Sequence, residues 1–262
     1  MKIEELNLLK KKGFLKEIIY VDKLDSTNKF AKENNFESDT LIVTEYQTNG
    51  RGRLERVWNS NRSENITITL VKNFLLNPDS VHLVNFYTSY IIYLSLKKIL
   101  PEYEKYRFTL KWPNDILLNN KKVSGILTEL LNINTDEKKF FIGIGINVNQ
   151  IIFPEEIVNK AGSLKQETGM DFSLEELISL FIENFYENIS LLKDKTKLMN
   201  LWKSNTEFIN KTIHFTLSDN TSITEGKIID IQADGGIKIE TIKQINTKKI
   251  TVHYTGEINF IF

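Results

Sequence analysis

The last part of the chain, from residue 211 to residue 262, differs in pattern from everything before it. Short β-prone runs follow one another there, and turn sequences such as Ala-Asp-Gly-Gly at residues 233–236 separate them. Closely spaced strands with such turns are typical of a small all-β barrel. Before residue 210, strand-prone runs are interleaved with helical patterns, as in an α+β domain. The sequence therefore predicts an α+β domain over residues 1–210 and a β-barrel domain over residues 211–262.

Periodicity and caps predict the elements of the first domain. Ser26 opens a short helix, a long apolar helix begins after Ser80 and stops at Pro101, and a capping box at Ser173 opens another. Residues 119–120 are both Asn and form a hairpin turn between two strands. The predicted strands are 14–22, 40–46, 65–72 (half-buried by its alternation), 107–112, 115–118, 122–131 and 139–148.

Composition excludes several function classes. Lysine plus arginine and aspartate plus glutamate are balanced at 34 each, which argues against a globally basic nucleic-acid-binding protein. The absence of cysteine excludes thiol chemistry, and the 3 histidines are too far apart for a zinc motif. The N-terminus has no apolar signal core, and no stretch is apolar enough for a membrane span. We therefore expect a cytoplasmic protein without membrane contact.

A loop rich in arginine and glycine interrupts this neutral background. Glycine lets backbone N–H groups approach an anion closely, and arginine offers planar forks for carboxylate and phosphate. An aromatic residue next to such a loop can cover a purine ring. Taken alone, the loop also fits a solvated basic segment or an RNA-binding patch. Its key residues are Gly50, Arg51, Gly52, Arg53, Arg56 and Trp58.

A second string joins a lysine to a rigid turn: Lys111-Trp112-Pro113-Asn114-Asp115. Strand alternation places Leu110 and Trp112 on one face and Lys111 on the other. If the apolar face packs on the core, Lys111 points into whatever cavity its own face lines. There it can hold a carboxylate and a phosphate together. The plain alternative is an edge-strand lysine that discourages aggregation.

Glycines also interrupt two of the predicted strands. Ser124 and Gly125 mark a bulge or a close approach of another group to the backbone. Gly143 and Gly145, followed by Asn147, lack the third glycine and the helix of a dinucleotide-binding loop. We therefore expect a strand on which the glycines let a ligand ring lie flat.

Together these strings resemble the biotin protein ligases, the family of biotin–[carboxylase] ligases and holocarboxylase synthetases. They occur in family order and at family spacing, and the resemblance covers about residues 15–262. The Gly-Arg-Gly-Arg and Lys-Trp-Pro-Asn-Asp strings together are highly specific. The matching residues are Asp25-Ser26-Thr27-Asn28, Glu45-Tyr46-Gln47, Gly50-Arg51-Gly52-Arg53, Arg56, Trp58, Lys111-Trp112-Pro113-Asn114-Asp115, Ser124-Gly125-Ile126-Leu127, Glu129, Gly143, Gly145 and Asn147.

The resemblance implies a fold and a reaction. The fold is a mixed-sheet α+β catalytic domain similar to class II aminoacyl-tRNA synthetases, followed by an SH3-like barrel. Biotin and MgATP would give biotinyl-5′-AMP and pyrophosphate, and a lysine of a biotin carboxyl carrier protein would then attack the mixed anhydride. Bifunctional relatives carry a DNA-binding domain before the first matching string, which here starts at Asp25. We expect a ligase that does not bind DNA, as a monomer or homodimer.

Residue roles follow from the same resemblance. Lys111 and Arg53 are the expected catalytic residues, and Lys111 would bridge the biotin carboxylate and the phosphoryl group. Asp115 is the expected Mg²⁺ ligand. Biotin would contact Ser26, Thr27, Asn28, Gln47, Gly50, Arg51, Gly52, Arg53, Lys111, Ser124 and Gly125. The nucleotide would contact Arg51, Arg53, Arg56, Trp58, Asn114, Asp115 and Asn147.

Departures from the family pattern and two alternatives stay open. The departures affect nucleotide binding and lie at Asn49, Leu54, Ser63 and Thr67. Lipoate–protein ligase shares the fold and the adenylate chemistry, but its own arginine-glycine signature is missing. A non-catalytic module that binds biotin or nucleic acid is the alternative from another class, and the neutral net charge argues against nucleic acid.

Overall fold

Two β-sheets organise the protein, whose computed structural model describes residues 1–75, 81–131, 137–216, 223–243 and 247–260. The first sheet has seven strands of mixed direction, and the second has five antiparallel strands. This arrangement confirms the predicted α+β class. No helix within the described ranges is long and apolar enough to cross a membrane.

The seven-stranded sheet is built from the first part of the chain. Its strands are β1 (Glu17–Leu24), β2 (Thr40–Gln47), β3 (Ile66–Phe74), β4 (Phe108–Lys111), β5 (Asp115–Leu118), β6 (Lys121–Leu131) and β7 (Lys138–Ile146). They lie in the order β1-β2-β3-β7-β6-β5-β4. β1 and β2 are parallel, and the other neighbours are antiparallel. The α-helices are α1 (Ile3–Lys11), α2 (Thr27–Glu33), α3 (Val81–Ile99), α4 (Leu164–Thr168), α5 (Leu174–Glu187) and α6 (Lys195–Lys203).

The helices cover the two faces of this sheet unequally. α3 packs against α5, α6 and β6 on one face, where the Phe86 and Trp202 rings meet at 5.0 Å. On the other face, α2 contributes a small apolar cluster, with Ala31 against Ile42 and Phe141. Loops border the rest of the α2 face, and a cavity forms there.

Several elements of the structure differ in detail from the predicted ones. β3 is buried on both faces rather than one, because Thr69 donates to Asn28 Oδ1 (2.6 Å) and Thr67 to the Thr44 carbonyl (2.9 Å). β1 begins at Glu17 instead of residue 14. Helices α1, α4 and α6 are additional to those predicted, and the predicted cap Ser80 lies outside the described residues.

The C-terminal part of the chain forms five strands within the described ranges, in agreement with the predicted run of short strands. They are β8 (Thr212–Thr216), β9 (Ile223–Ile231), β10 (Ile237–Lys243), β11 (Thr247–His253) and β12 (Glu257–Phe260), in the order β11-β10-β9-β8-β12. Pairing between β11 and β12 does not close this sheet within the described ranges, so the SH3-like barrel stays a prediction, as does the domain boundary at residue 210. The sheet is joined to the first by a hydrogen bond of 2.9 Å from Trp112 Nε1 to the Gly235 carbonyl.

Candidate active site

A cavity of about 570 Å³ opens on the α2 face of the seven-stranded sheet. Its volume lies in the usual range of small-molecule sites. Of the residues that the sequence predicts for the site, all but Gly50 and Ser124 line it. Those brought together are Ser26, Thr27, Asn28, Gln47, Arg51, Gly52, Arg53, Arg56, Trp58, Lys111, Asn114, Asp115, Gly125 and Asn147.

Gly50 and Ser124 shape the walls of the cavity instead of lining it. A Cβ atom on Gly50 would lie 2.6 Å from the Trp58 carbonyl oxygen, so only glycine permits the Trp58 backbone to pass so closely. The Ser124 hydroxyl is fully buried and donates to the Gly145 carbonyl at 2.9 Å. Both predicted binding residues therefore have a supporting position in this structure.

One end of the cavity is polar and uncharged. Gln47 Oε1 accepts hydrogen bonds from the Thr27 backbone N–H (2.8 Å) and hydroxyl (3.1 Å), which fixes the start of α2 against β2. Ser26 caps α2, as predicted. The Asn28 side-chain amide is already hydrogen-bonded within the protein, since its Nδ2 donates to the Leu127 carbonyl and to Glu129. This end presents fixed donors and acceptors with little freedom to rearrange.

The strand glycines accommodate the chain's own side chains. A Cβ on Gly145 would lie 2.3 Å from Cε2 of Trp58, and a Cβ on Gly143 would lie 2.5 Å from Asn28 Oδ1. The expectation that a ligand ring lies flat on these glycines is therefore wrong for this structure, because the Trp58 indole lies over Gly145 and Gly125. No acceptor in the described part of the chain reaches the buried indole N–H of Trp58.

Lys111 is held by the C-terminal sheet. Its amine donates to Asn259 Oδ1 at 3.3 Å and lies 4.0 Å from Glu257 Oε1. Burial lowers the pKa of Lys111, and the nearby Asp115 and Glu257 carboxylates only partly offset it. Glu257 and Asn259, both on β12, are not among the site residues predicted from the sequence.

Glu257 also reaches the basic loop, residues 48–61. Its Oε2 pairs with Arg56 Nη2 at 2.7 Å. Burial alone would raise the pKa of Glu257, but Lys111 and Arg56 hold that pKa below its ordinary value. The carboxylate is therefore charged at neutral pH, where it balances two of the cations in the cavity.

A second cluster of charges lies on β4 to β6. Arg53 donates to Asn114 Oδ1 at 3.3 Å, and burial lowers the pKa of Arg53 while Asp115 partly offsets this. Lys122 forms an ion pair of 2.7 Å with Asp115 and lies 5.5 Å from the centre of the Trp58 ring. Lys122 was absent from the predicted site residues, although it lies two residues before Ser124.

A segment without a predicted helix or strand also lines the cavity. Within residues 149–162, the lining residues are Phe153, Ile157, Asn159, Lys160 and Ala161. Asn147 anchors this segment through a hydrogen bond of 2.9 Å from its Nδ2 to the Gly162 carbonyl. Among the described residues no donor reaches the buried Asn147 Oδ1, so its capacity to accept a hydrogen bond is unused.

The charge in the cavity favours an anionic ligand. Lysines and arginines outnumber carboxylates in a chain whose net charge is zero. The cations are Arg51, Arg53, Arg56, Lys111, Lys122 and Lys160, and the carboxylates are Asp115 and Glu257. No group of three or more His, Cys, Asp or Glu side chains in the described ranges could hold a metal ion alone.

Comparison with known proteins identifies the family. The sequence profile of the biotin/lipoate A/B protein ligase family matches residues 19–149. The chain belongs to this family. The bifunctional ligase/repressor BirA of Bacillus subtilis is 33% identical over 249 residues, which are 92% of this chain and 73% of that protein. The biotin–[acetyl-CoA-carboxylase] ligase of Paracoccus denitrificans is 31% identical over 170 residues, 62% of this chain and 68% of that protein.

A solved structure extends the likeness beyond the family match. Biotin protein ligase from Aquifex aeolicus in complex with biotin and ATP is 30% identical, with a TM-score of 0.72 over 94% of this chain and 98% of that one. The match to the biotin/lipoate A/B ligase family spans every predicted site residue, from Ser26 to Asn147. Lys160, Glu257 and Asn259 line the same cavity from outside the matched residues.

Proposed function

We propose that the protein is a biotin–protein ligase, which activates biotin with MgATP and transfers the biotinoyl group to a lysine of a biotin carboxyl carrier protein. The single observation that carries the proposal is a cavity with a neutral polar end and a cationic remainder. The neutral end suits a ureido ring, which needs donors and acceptors. The cationic part suits a carboxylate that must meet a triphosphate.

The first step joins two anions. A carboxylate oxygen of biotin attacks the α-phosphorus of ATP, the bond to the bridging oxygen breaks, and pyrophosphate leaves. Fixed positive charges offset the repulsion between the reactants and stabilise the charge that develops on the phosphoryl oxygens. We assign this role to Lys111 and Arg53, both of which are largely removed from water and therefore act through a low local dielectric.

Lys122 is a second candidate for the cation at the reacting atoms. Its amine lies 2.7 Å from Asp115 Oδ1, whereas the Lys111 amine donates to Asn259 Oδ1 and lies 4.0 Å from Glu257 Oε1. A substrate anion would have to compete with Asp115 for Lys122 and with Glu257 for Lys111. The two lysines are separable by mutation, because Lys111 contacts Asn259 of the C-terminal sheet and Lys122 pairs with Asp115 of the seven-stranded sheet.

Asp115 fits the Mg²⁺ that accompanies ATP. Mg²⁺ keeps several waters and binds through one or two carboxylates together with substrate phosphates, so a complete cage of protein ligands is not required. The buried Asp115 Oδ1 is such a carboxylate oxygen, although Mg²⁺ would have to displace the Lys122 amine that lies 2.7 Å from it, and the amide oxygen of Asn120 in the same cavity has no partner among the described residues. The ion would neutralise part of the phosphate charge.

The second step needs access for a protein. The acceptor lysine nitrogen attacks the acyl carbon of biotinyl-5′-AMP and loses a proton, and AMP leaves. The basic loop is the element placed to admit it, since Leu54 (φ 53°) and Val57 are exposed at its tip. A non-glycine residue at positive φ is unfavourable, which suits a loop that changes conformation when a ligand or partner arrives.

The acceptor is proposed to be the carrier domain of a biotin-dependent carboxylase, as the name of the Paracoccus relative suggests for that protein. The test is incubation of the protein with MgATP, biotin and a purified carrier domain. We expect a mass increase of one biotinoyl group on the carrier. A carrier whose acceptor lysine is replaced by arginine should stay unmodified, and labelling of both carriers, or of neither, would contradict the proposal.

A further inference from the structure

Two loops line the cavity, the basic loop (residues 48–61) and the 149–162 segment. Arg51 to Asn59 bring the first to the ligand space, and Phe153 to Ala161 bring the second. The two loops are connected by a pair of buried amide side chains, Asn65 and Gln150. Each of these side chains is 1% exposed.

Gln150 bonds to the backbone of both loops at once. Its Oε1 accepts from the backbone N–H of Asn61, the last residue of the basic loop, at 3.1 Å. Its Nε2 donates to the carbonyl of Ile152 in the 149–162 segment at 2.8 Å. A primary amide has one acceptor oxygen and one donor nitrogen, and here each is used on a different loop.

Asn65 completes the connection. Its Nδ2 donates to Gln150 Oε1 and to the Ser60 hydroxyl (3.1 Å), and its Oδ1 accepts from the Val148 backbone N–H at 2.9 Å. In a buried network, a change in one hydrogen bond alters the others because no water is present to replace a lost partner. A shift of either loop therefore alters the hydrogen bonds that hold the other loop.

We propose that Gln150 is a positioning residue that couples the two loops, so that a ligand held by one loop strengthens binding of the ligand held by the other. Gln150 is not among the described residues that line the cavity, so it acts on the ligands only through the loops. When the first ligand orders its loop, part of the ordering of the second loop is already complete. This inference rests on the proposed function, which supplies biotin and a nucleotide as the two ligands.

Gln166 provides a matched control. Its Nε2 donates to the carbonyl of Ile151 at 2.7 Å, one residue before the carbonyl that Gln150 bonds. Within the described ranges Gln166 makes no hydrogen bond to the basic loop. Replacing it therefore removes an amide contact to the same segment without removing the connection.

The test measures a coupling factor by calorimetry. The Kd of α,β-methylene ATP with MgCl₂ is determined with and without saturating biotin, and the ratio of the two values is the coupling factor. We expect a coupling factor of about five or more for the unmodified protein and for Gln166→Met, which is within the usual range for coupled sites. For Gln150→Met we expect a factor close to one, with binding of biotin alone near that of the unmodified protein.

The possible failures are distinguishable. A coupling factor of one in the unmodified protein, or an unchanged factor in folded Gln150→Met, would overturn the role of Gln150 and leave the ligase proposal standing. Absence of biotin binding in the unmodified protein would overturn the ligase proposal itself. If Gln150→Met does not fold, Asn61→Pro removes the donated N–H from an exposed residue; loss of coupling there supports the inference, and retention overturns it.

Discussion

The carboxylate of Glu257 lies 2.7 Å from the guanidinium of Arg56, so that the C-terminal sheet and the basic loop meet inside one cavity. The same carboxylate is 4.0 Å from the Lys111 amine. A residue of the last strand thereby sets the charge balance around the proposed reacting groups. The C-terminal sheet is thus part of the site and not only an appended module.

We expect Glu257→Gln to lower the rate of adenylate formation about tenfold, equivalent to about 1.4 kcal/mol of transition-state stabilisation. Loss of this anion leaves Arg56 unpaired and deprives the buried Lys111 of a counter-charge. The matched control is Glu240→Gln, which removes an exposed ion pair with Lys248 from the same sheet. Equal rates in the two variants would show that Glu257 does not act on the site.

Lys111→Ala should reduce adenylate formation at least about a hundredfold, as expected when a preorganised charge at the reacting atoms is removed. The exposed Lys248→Ala should have no effect. Rates are to be measured by single-turnover formation of biotinyl-5′-AMP, together with thermal melting to confirm folding. Full activity of Lys111→Ala with a large loss in Lys122→Ala would move the catalytic role to Lys122.

Gly145→Ala should displace Trp58, because the new methyl group would lie 2.3 Å from the indole. We expect ligand affinity to fall by more than about tenfold, or about 1.4 kcal/mol, and the tryptophan fluorescence to change. Gly125→Ala should have a smaller effect, since its methyl would lie 3.1 Å from the ring. A larger loss of ligand affinity in Gly125→Ala than in Gly145→Ala would contradict the packing of Trp58 on the sheet.

Asp39 should make stability depend on pH in the acidic range. Burial alone would raise the pKa of Asp39, but its ion pair with Lys72 and a hydrogen bond of 2.6 Å from the Tyr186 hydroxyl lower that pKa. A carboxyl with a lower pKa in the folded state stabilises the fold above its unfolded pKa of about 3.9, and this contribution is lost as the pH falls through the folded value.

Urea unfolding at neutral pH and below pH 4 tests this effect. Asp39→Asn should be less stable than the unmodified protein at neutral pH, and the difference should shrink in acid. Asp171→Asn is the control, because its ion pair with Lys165 is on the surface. A stability difference for Asp39→Asn that does not change with pH would contradict the assignment.

The sequence predicted the site best where function is concentrated in short strings. The residues at 25–28, 50–58 and 111–115 lie far apart in the chain, yet strand pairing brings them to one face of the sheet. Their role in binding an anion could be predicted because glycine, arginine and lysine at this fixed spacing are an unusual motif. The fold class was predictable for a related reason, since alternation and turn residues are local signals.

The rest depends on long-range packing. Glu257 follows a glycine in an ordinary turn sequence, and only the docking of β12 beside Lys111 gives it a role. The 149–162 segment carries no helix or strand period, and its position over the cavity is set by contacts of Asn147 and Gln150. The glycines in the strands predict a close neighbour, but their spacing in the sequence does not show that this neighbour is Trp58.

Pyrophosphate exchange into ATP tests the central claim most directly, because it reports the reversible first step without an acceptor protein. The assay is run with biotin, with lipoate and with neither ligand. The proposed function predicts exchange that requires biotin and is absent with lipoate or without ligand. Exchange that depends on lipoate instead, or no exchange with either acid, would contradict it.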